Sequence, residues 1–337
     1  MEQKVLRAST LVVVCALMLR LLGAANLSHA LNFTLSPEVA SWMIFLQTGR
    51  LVQPSNVEFS PQATEPPPET TPETTPEPSQ PTIQPQPVLP TFSPEQAKEI
   101  AIKCSFQYSA DLEKLLTQPL SWDLTGEEPT VLILHSHGSE SFAPTGEYKE
   151  TSPYHTLNKD HNMISVGAYV AELLRKAGIS VIQDTDIHDS PSYNAAYSNS
   201  RASMQKYLQT YPSIKLVLDL HRDSYEDANG NQIVHTVFSE GTTLAPLMFV
   251  VGTDYDGLSH PNWRENLALA LKLQTQVEGY CPGICRKMTL RSYRYNQDLS
   301  NGAMLVEVGA SGNTKEQALR AAEVLAKGII SLAHGSK

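Results

Sequence analysis

The sequence predicts an α/β fold with a mainly parallel sheet flanked by helices, and three observations lead there. From Pro129 onward, short apolar runs alternate with longer amphipathic stretches at the spacing of βαβ units. The runs at Thr130–Leu134, Leu216–Leu220 and Ala303–Val306 are almost continuously apolar, as strands covered on both faces must be. Each of these three runs is followed by a chemically active side chain: His135 and His137, His221, and Glu307. Sheets of this class bind ligands beyond the carboxyl ends of their strands, so these tips mark the candidate site.

The chain opens with Lys4 and Arg7 ahead of the apolar run Leu11–Leu19, followed by Arg20 and Leu21–Ala25, the order found in an export signal. Ser28-His29-Ala30 offers a small-residue cleavage site. The alternative for residues 1–30 is an uncleaved membrane anchor, which needs roughly 20 apolar residues, whereas this run is short and broken by Arg20. Residues 31–53 are a juxtamembrane segment whose apolar patch around Trp42 either lies at a membrane interface or packs ordinarily. Between Pro54 and Pro94 fall 13 of the 23 prolines and five glutamates, with no Lys or Arg, so residues 54–93 read as an extended linker. At roughly 3 Å per residue such a stretch spans on the order of 100 Å. This start, in either form, implies a domain working outside the cytoplasm, membrane-anchored or secreted.

Residues 94–337 hold the folded domain. Ser93 followed by Pro94-Glu-Gln-Ala fits a capped first turn, while the alternation Ile100, Ile102, Cys104 suggests a short strand instead. The expected elements are a strand at 130–135 and a helix at 162–176 with Met163, Val166, Val170 and Leu174 on one face. A strand at 179–183, a helix at 192–209 and a strand at 215–220 follow, then strands near 233–238 and 246–252. A helix capped by Asn262 is expected to run to Glu278, and a strand covers 303–308. Asn313 with Glu316 three residues on reads as a capping box for a last helix reaching Ile330.

A balance of 25 basic against 35 acidic residues gives a net charge of -10, and with no basic cluster this excludes nucleic acid as a partner. Of four cysteines, Cys15 lies in the first apolar run, and Cys104, Cys281 and Cys285 do not make a disulfide scaffold. The turn-forming Pro-Gly inside Cys281-Pro-Gly-Ile-Cys285 is compatible with a small disulfide loop in an exported domain, or with two buried thiols.

A catalytic zinc takes N/O ligands, keeps a position open for water, and works beside a carboxylate that moves the proton. His135 or His137, His221 and Glu307 supply that chemistry. Were the strand to continue, His135 and His137 would share a side; a turn at Ser136 would aim only one of them inward. His221-Arg222-Asp223 imitates a kinase catalytic loop, but no glycine-rich loop or Asp-Phe-Gly accompanies it, and no Gly-x-Ser-x-Gly elbow supports a serine hydrolase. Arg222, Asp223, Asn296 and Asp298 either bind polar substrate groups or satisfy loop backbone.

The motifs His135-Ser-His137-Gly-Ser-Glu140, Tyr193-Asn with Tyr197-Ser-Asn-Ser-Arg201, Asp219-Leu-His221-Arg222-Asp223, Tyr295-Asn-Gln-Asp298 and Leu305-Val-Glu307-Val-Gly309 together resemble the stage II sporulation protein P family over about residues 94–337. The resemblance implies a fold like the zinc-dependent N-acetylmuramoyl-L-alanine amidases. It also implies Zn²⁺ as cofactor, peptidoglycan as substrate, cross-link cleavage as a further activity, and a role in engulfment with the membrane-bound sporulation proteins D and M. By the same resemblance His221 matches the later zinc histidine, Glu307 the catalytic glutamate, and His135 or His137 the first ligand. The middle ligand falls near Asn158, a poor donor, leaving Glu140, Asp160, His161 or water to take its place. The rival expectation is a non-catalytic wall-binding or scaffolding domain; a metalloesterase using the same residues is a third.

Overall fold

A computed structural model describes residues 90–120, 123–145 and 154–334. The expected signal or anchor, juxtamembrane segment and nearly all of the linker lie outside the described residues. The chain divides into two units, Met1–Pro81 and Thr82–Lys337, and every described residue belongs to the second. Among the described residues no helix is long and apolar enough to cross a membrane.

The elements are β1 (Ile102–Lys103), β2 (Val131–Leu134), β3 (Val181–Gln183), β4 (Leu216–Asp223), β5 (Val237–Ser239), β6 (Thr242–Leu244), β7 (Leu247–Gly252), β8 (Met288–Arg291) and β9 (Ala303–Ala310). The helices are α1 (Pro94–Glu99), α2 (Leu112–Thr117), α3 (Met163–Lys176), α4 (Ala196–Thr210), α5 (Trp263–Tyr280) and α6 (Lys315–His334). Seven strands form one sheet in the order β1-β8-β7-β9-β4-β2-β3. Five of its six neighbouring pairs are parallel, and the exception is β7 against β9. The sheet is therefore mainly parallel, as expected, but built of two parallel blocks that run oppositely and meet at that one antiparallel seam.

Alternate side chains of the strands supply two cores. Val131, Ile133, Leu216, Leu218, Leu220, Phe249 and Val306 face α3, α5 and α6. Leu132, Leu134, Val217 and Ala303 face Met204 of α4, and Leu305, Met248 and Val250 meet Tyr295. One face is thus sealed by three helices. Among the described residues the other is covered by α4 and the loop that follows β8.

Local chemistry explains most boundaries. Asn162 caps α3, its side chain accepting from the Ile164 N–H at 3.0 Å. Ser93 and Gln96 form a capping box on α1, and the short strand β1 follows it, so both readings of that region hold. At α6 the expected box is displaced by one residue: Thr314 and Gln317 exchange bonds of 3.2 and 3.3 Å. Asn313 instead accepts from Ala310 N–H at 2.9 Å, beside Gly309, whose φ of +76° suits a residue without Cβ. Asn262 stands at the N-cap of α5 without capping it.

Three elements escaped the sequence pattern. α2, capped by Asp111, is short; β8 shows too few residues; and β6 returns from β5 through Glu240 and Gly241, both with positive φ. Of the two readings of Cys281-Pro-Gly-Ile-Cys285, the structure has the free thiols. Glu278 closes their turn instead, its carboxylate accepting from the N–H groups of Gly283 and Cys285, both at 2.7 Å.

Candidate active site

Strand β2 goes on to β3 on one side, and the chain then crosses back to place β4 on the other. A crevice opens at such a switch point beyond the carboxyl ends of the strands. β2 stops at Leu134, and residues 136–139 turn. Ser136 fixes that turn to β4 by donating from its N–H and its hydroxyl to Asp219, at 2.8 and 2.6 Å.

The turn separates the two histidines. His135 keeps the parity of Ile133 and points toward α3, with Nδ1 3.0 Å from the Leu220 carbonyl and Nε2 3.2 Å from Gln183 Nε2. Gly167 makes its space, since a Cβ there would lie 2.4 Å from the ring. Burial pushes His135 down to about 4. His137 lies within the turn, its ring centroid 5.4 Å from that of His221 and 4.2 Å from that of Tyr193. Asp189, which accepts from the Ser139 N–H and hydroxyl at 3.1 and 2.6 Å, stands 3.8 Å from His137 Nδ1.

His221 and Glu307 are register partners across β4 and β9, and neighbours in a parallel pair project from the same face. The His221 ring lies between two carboxylates, Asp219 at 2.9 Å from Nε2 and Glu140 at 3.5 Å from Nδ1. Burial opposes the charge on His221, but Asp219 and Glu140 hold its pKa well above the usual imidazole range. Glu140 is held low: burial works to raise it, and His221 followed by Arg222 and His137 overcome that. Glu307 goes the other way, pushed up to about 8 by burial, with Glu140 and Asp223 adding to the effect and His221 opposing it. One oxygen of Glu307, Nδ1 of His137 and Nε2 of His221 are buried with no hydrogen-bond partner, the Asp219 contact being close but badly aligned.

The remaining candidates divide. Arg222 is a clamp: its N–H donates to Glu140 at 3.1 Å, and its guanidinium donates to the carbonyls of Ser141 and Tyr154 at 2.9 and 2.6 Å. Asp298 is taken by a two-pronged bond from Arg201 at 2.8 and 2.7 Å, and Asn296 donates to the Tyr197 carbonyl and Ser200 hydroxyl. All three satisfy the framework. Asp223 accepts from the Tyr225 hydroxyl and from Arg286. Asn158 and Asp160 are exposed, and His161 lines a small cleft with Phe142 and Lys315, so none of these three meets the crevice. Glu140 does. Sequence reasoning missed Asp219, Asp189 and Ser136; only Asp219, two residues before His221 on one strand face, carried a legible signal.

Asp184, beyond β3, holds the loop that carries Asp189. It accepts from His188 at 3.0 Å, from Ser203 of α4 at 2.5 Å and from the Asp186 N–H at 3.0 Å. Burial opposes both charges, yet the pairing raises His188 and lowers Asp184. A raised histidine stabilises below its unfolded pKa and loses that contribution as pH rises through its folded one; a lowered aspartate stabilises above its unfolded pKa and fails as pH falls. Asp184→Asn should therefore cost about 1–3 kcal/mol. The gap should be widest between about pH 4 and 6.5, as read from denaturant melts across pH. A gap that grows from pH 7 to 9 would contradict the pairing.

The sequence matches the family described as Stage II sporulation protein P (SpoIIP) over residues 53–330. The chain belongs to that family. It is 28% identical over 213 residues to the stage II sporulation protein P of Bacillus subtilis (strain 168), covering 60% of this chain and 50% of that protein. The chain therefore spans about half the length of that curated relative. Among solved structures, the N-acetylmuramoyl-L-alanine amidase AmiC2 of Nostoc punctiforme aligns with a TM-score of 0.36 at 15% identity, over 60% of this chain and 96% of that one. An N-acetylmuramoyl-L-alanine amidase from Clostridium difficile 630 aligns with a TM-score of 0.35 at 17% identity, over 61% and 97%. Membership places the crevice in a sporulation protein, and its donor set can be weighed for a metal. His137, Glu140 and His221 are the two imidazoles and one carboxylate that a catalytic zinc takes, and the two histidines each keep a buried unpartnered nitrogen. Among the described residues no three donors stand converged on one point. Their chemistry fits the ion, and holding it would require these side chains to leave present contacts.

Proposed function

We propose that this protein is a zinc-dependent peptidoglycan hydrolase that cuts the amide between N-acetylmuramic acid and L-alanine during sporulation. The observation that carries it is Glu307: a carboxylate in the C-terminal half of β9, register-paired with His221 and near Glu140, with one buried oxygen left unpartnered. An unpaired carboxylate in such a place is costly unless it has work to do. His137, Glu140 and His221 would hold the metal. Bound there, zinc supplies a Lewis acid that polarises the scissile carbonyl and makes a water easier to ionise.

The chain's own residues do the rest. Glu307 accepts the proton of the attacking water and returns it to the amine nitrogen as the C–N bond breaks. Arg222 locks Glu140 by donating from its backbone N–H, and Asp189 and Asp219 stand beside His137 and His221 to orient the rings. On this reading the domain works outside the cytoplasm, beyond the apolar N-terminal segment and the Pro/Glu linker.

The test is mass spectrometry of sacculi digested with the full chain plus zinc. Stem peptides bearing a free L-alanine amine are expected. Digests showing only severed cross-links, or no soluble fragments at all, would refute the amidase assignment.

A further inference from the structure

One tyrosine ring away from the His137–His221 pair lies a cleft of about 350 Å³, lined by Tyr197, Leu258, Tyr293, Arg294, Tyr295 and Asn296. That is within the size range of small-ligand sites, ~300–1,000 Å³. Aromatic rings join it to the crevice: Tyr295 lies 5.4 Å from Tyr197, which in turn lies 5.4 Å from His137 and 6.3 Å from His221. At the outer end Tyr293 is 62% exposed and Leu258 45%.

The loop presenting these rings is rigid and strained. Tyr295 and Asn296 both adopt left-handed backbone, with φ of 52° and 58°. Such conformations cost on the order of 1–3 kcal/mol each and persist where the surroundings over-determine them. Here they do. Gln297 accepts from the Gly252 N–H and donates to the Val250 carbonyl, both at 2.9 Å, so the loop is pinned to the end of β7. Gly252 admits the close approach, since a Cβ would stand 2.4 Å from the Tyr293 carbonyl. Asn296 and Asp298 tie the same loop to α4 through Tyr197, Ser200 and Arg201.

The cleft's chemistry selects its occupant. Arg294 is committed to Asp298 and the Ser259 carbonyl, so the lining offers neutral ring faces edged by hydroxyls. Among the lining residues no unpaired cation waits for an acidic stem peptide; the exposed Arg291, close enough to act on Tyr295, lies outside the lining. A pyranose matches it: its C–H face stacks on a tyrosine while its hydroxyls hydrogen-bond at the ring's polar edge. The geometry points to a glycan subsite, in which the Tyr293–Tyr295–Tyr197 cleft takes an N-acetylhexosamine ring of the sugar strand next to the residue whose amide reaches Glu307. It rests on the amidase reading for where the bond is cut, but sugar binding can be measured without cutting.

The experiment uses the full chain carrying Glu307→Gln, to silence hydrolysis, and glycan strands stripped of peptide. In that background Tyr293→Ala is expected to weaken strand binding by about tenfold, and Tyr293→Trp, with a larger face, to retain it. Thermal melts of each variant confirm the fold, which an exposed side chain should not disturb. Equal binding by Tyr293→Ala and its parent overturns the subsite. So does a parent that ignores peptide-free strands, or one that free stem peptide rather than sugar displaces from sacculi. Wild-type protein that releases no peptide while strands bind through Tyr293 removes the amidase assignment and leaves the subsite standing.

Discussion

Glu307→Gln is expected to slow peptide release by about 10²–10⁴-fold, the usual scale of general acid–base catalysis, while fold and zinc content survive. Glutamine keeps the size of the side chain, and the unpartnered oxygen of Glu307 means that no existing hydrogen bond is broken there. Burial already favours the neutral form of Glu307, pushing it up to about 8, so an uncharged glutamine should be no less stable than the parent. The competing role for Glu307 is to orient His221. In that case zinc affinity would drop by about 10–100-fold and excess zinc would restore most of the activity. Zinc stoichiometry and muropeptide release on one purified variant, with and without added zinc, separate the two. A glutamine variant working at near wild-type rate under saturating zinc would end the assignment of Glu307 as base.

The second large effect separates two histidines that look alike in sequence. His137→Ala, like His221→Ala, should abolish both bound zinc and turnover, and His221→Ala should cost stability as well, because it leaves the buried Asp219 and Glu140 without the imidazole between them. His135→Ala should retain zinc and lose stability. Its ring fills the space above Gly167 and meets the buried Leu220 carbonyl, so truncation opens a cavity and strands an acceptor. Buried large-to-small changes of this kind cost about 2–5 kcal/mol. Zinc content by atomic absorption and denaturant melts on the three variants give the answer. A stable His135→Ala protein that no longer binds zinc would reverse the assignment.

The sequence alone determined the framework. Apolar runs and helical periodicity are local properties, and so β2, β4, β9, α3, α5 and α6 were legible to within a few residues; the strands run two or three residues past His221 and Glu307, which the pattern placed at their ends. What local pattern cannot carry is pairing. The reversal of β7 against β9, the late strand β8 and the hairpin partner β6 depend on hydrogen bonds between segments distant in the chain, which leave no periodic trace. The same holds within the site. Position two residues apart left His135 and His137 equivalent until the Ser136 turn, pinned by Asp219 from another strand, sent one into the core and the other to the crevice. Glu140 was only one of several stand-ins for the middle ligand that the family resemblance implied, and Arg222 and His221, reaching it from β4, distinguish it from the exposed Asn158 and Asp160. Asp298 and Asn296 carried the residue types of a binding site and turn out to brace a loop. Residue chemistry is written in the chain; which partner each charge meets is decided by packing, because a buried charge is stable only where the fold brings it a counterpart.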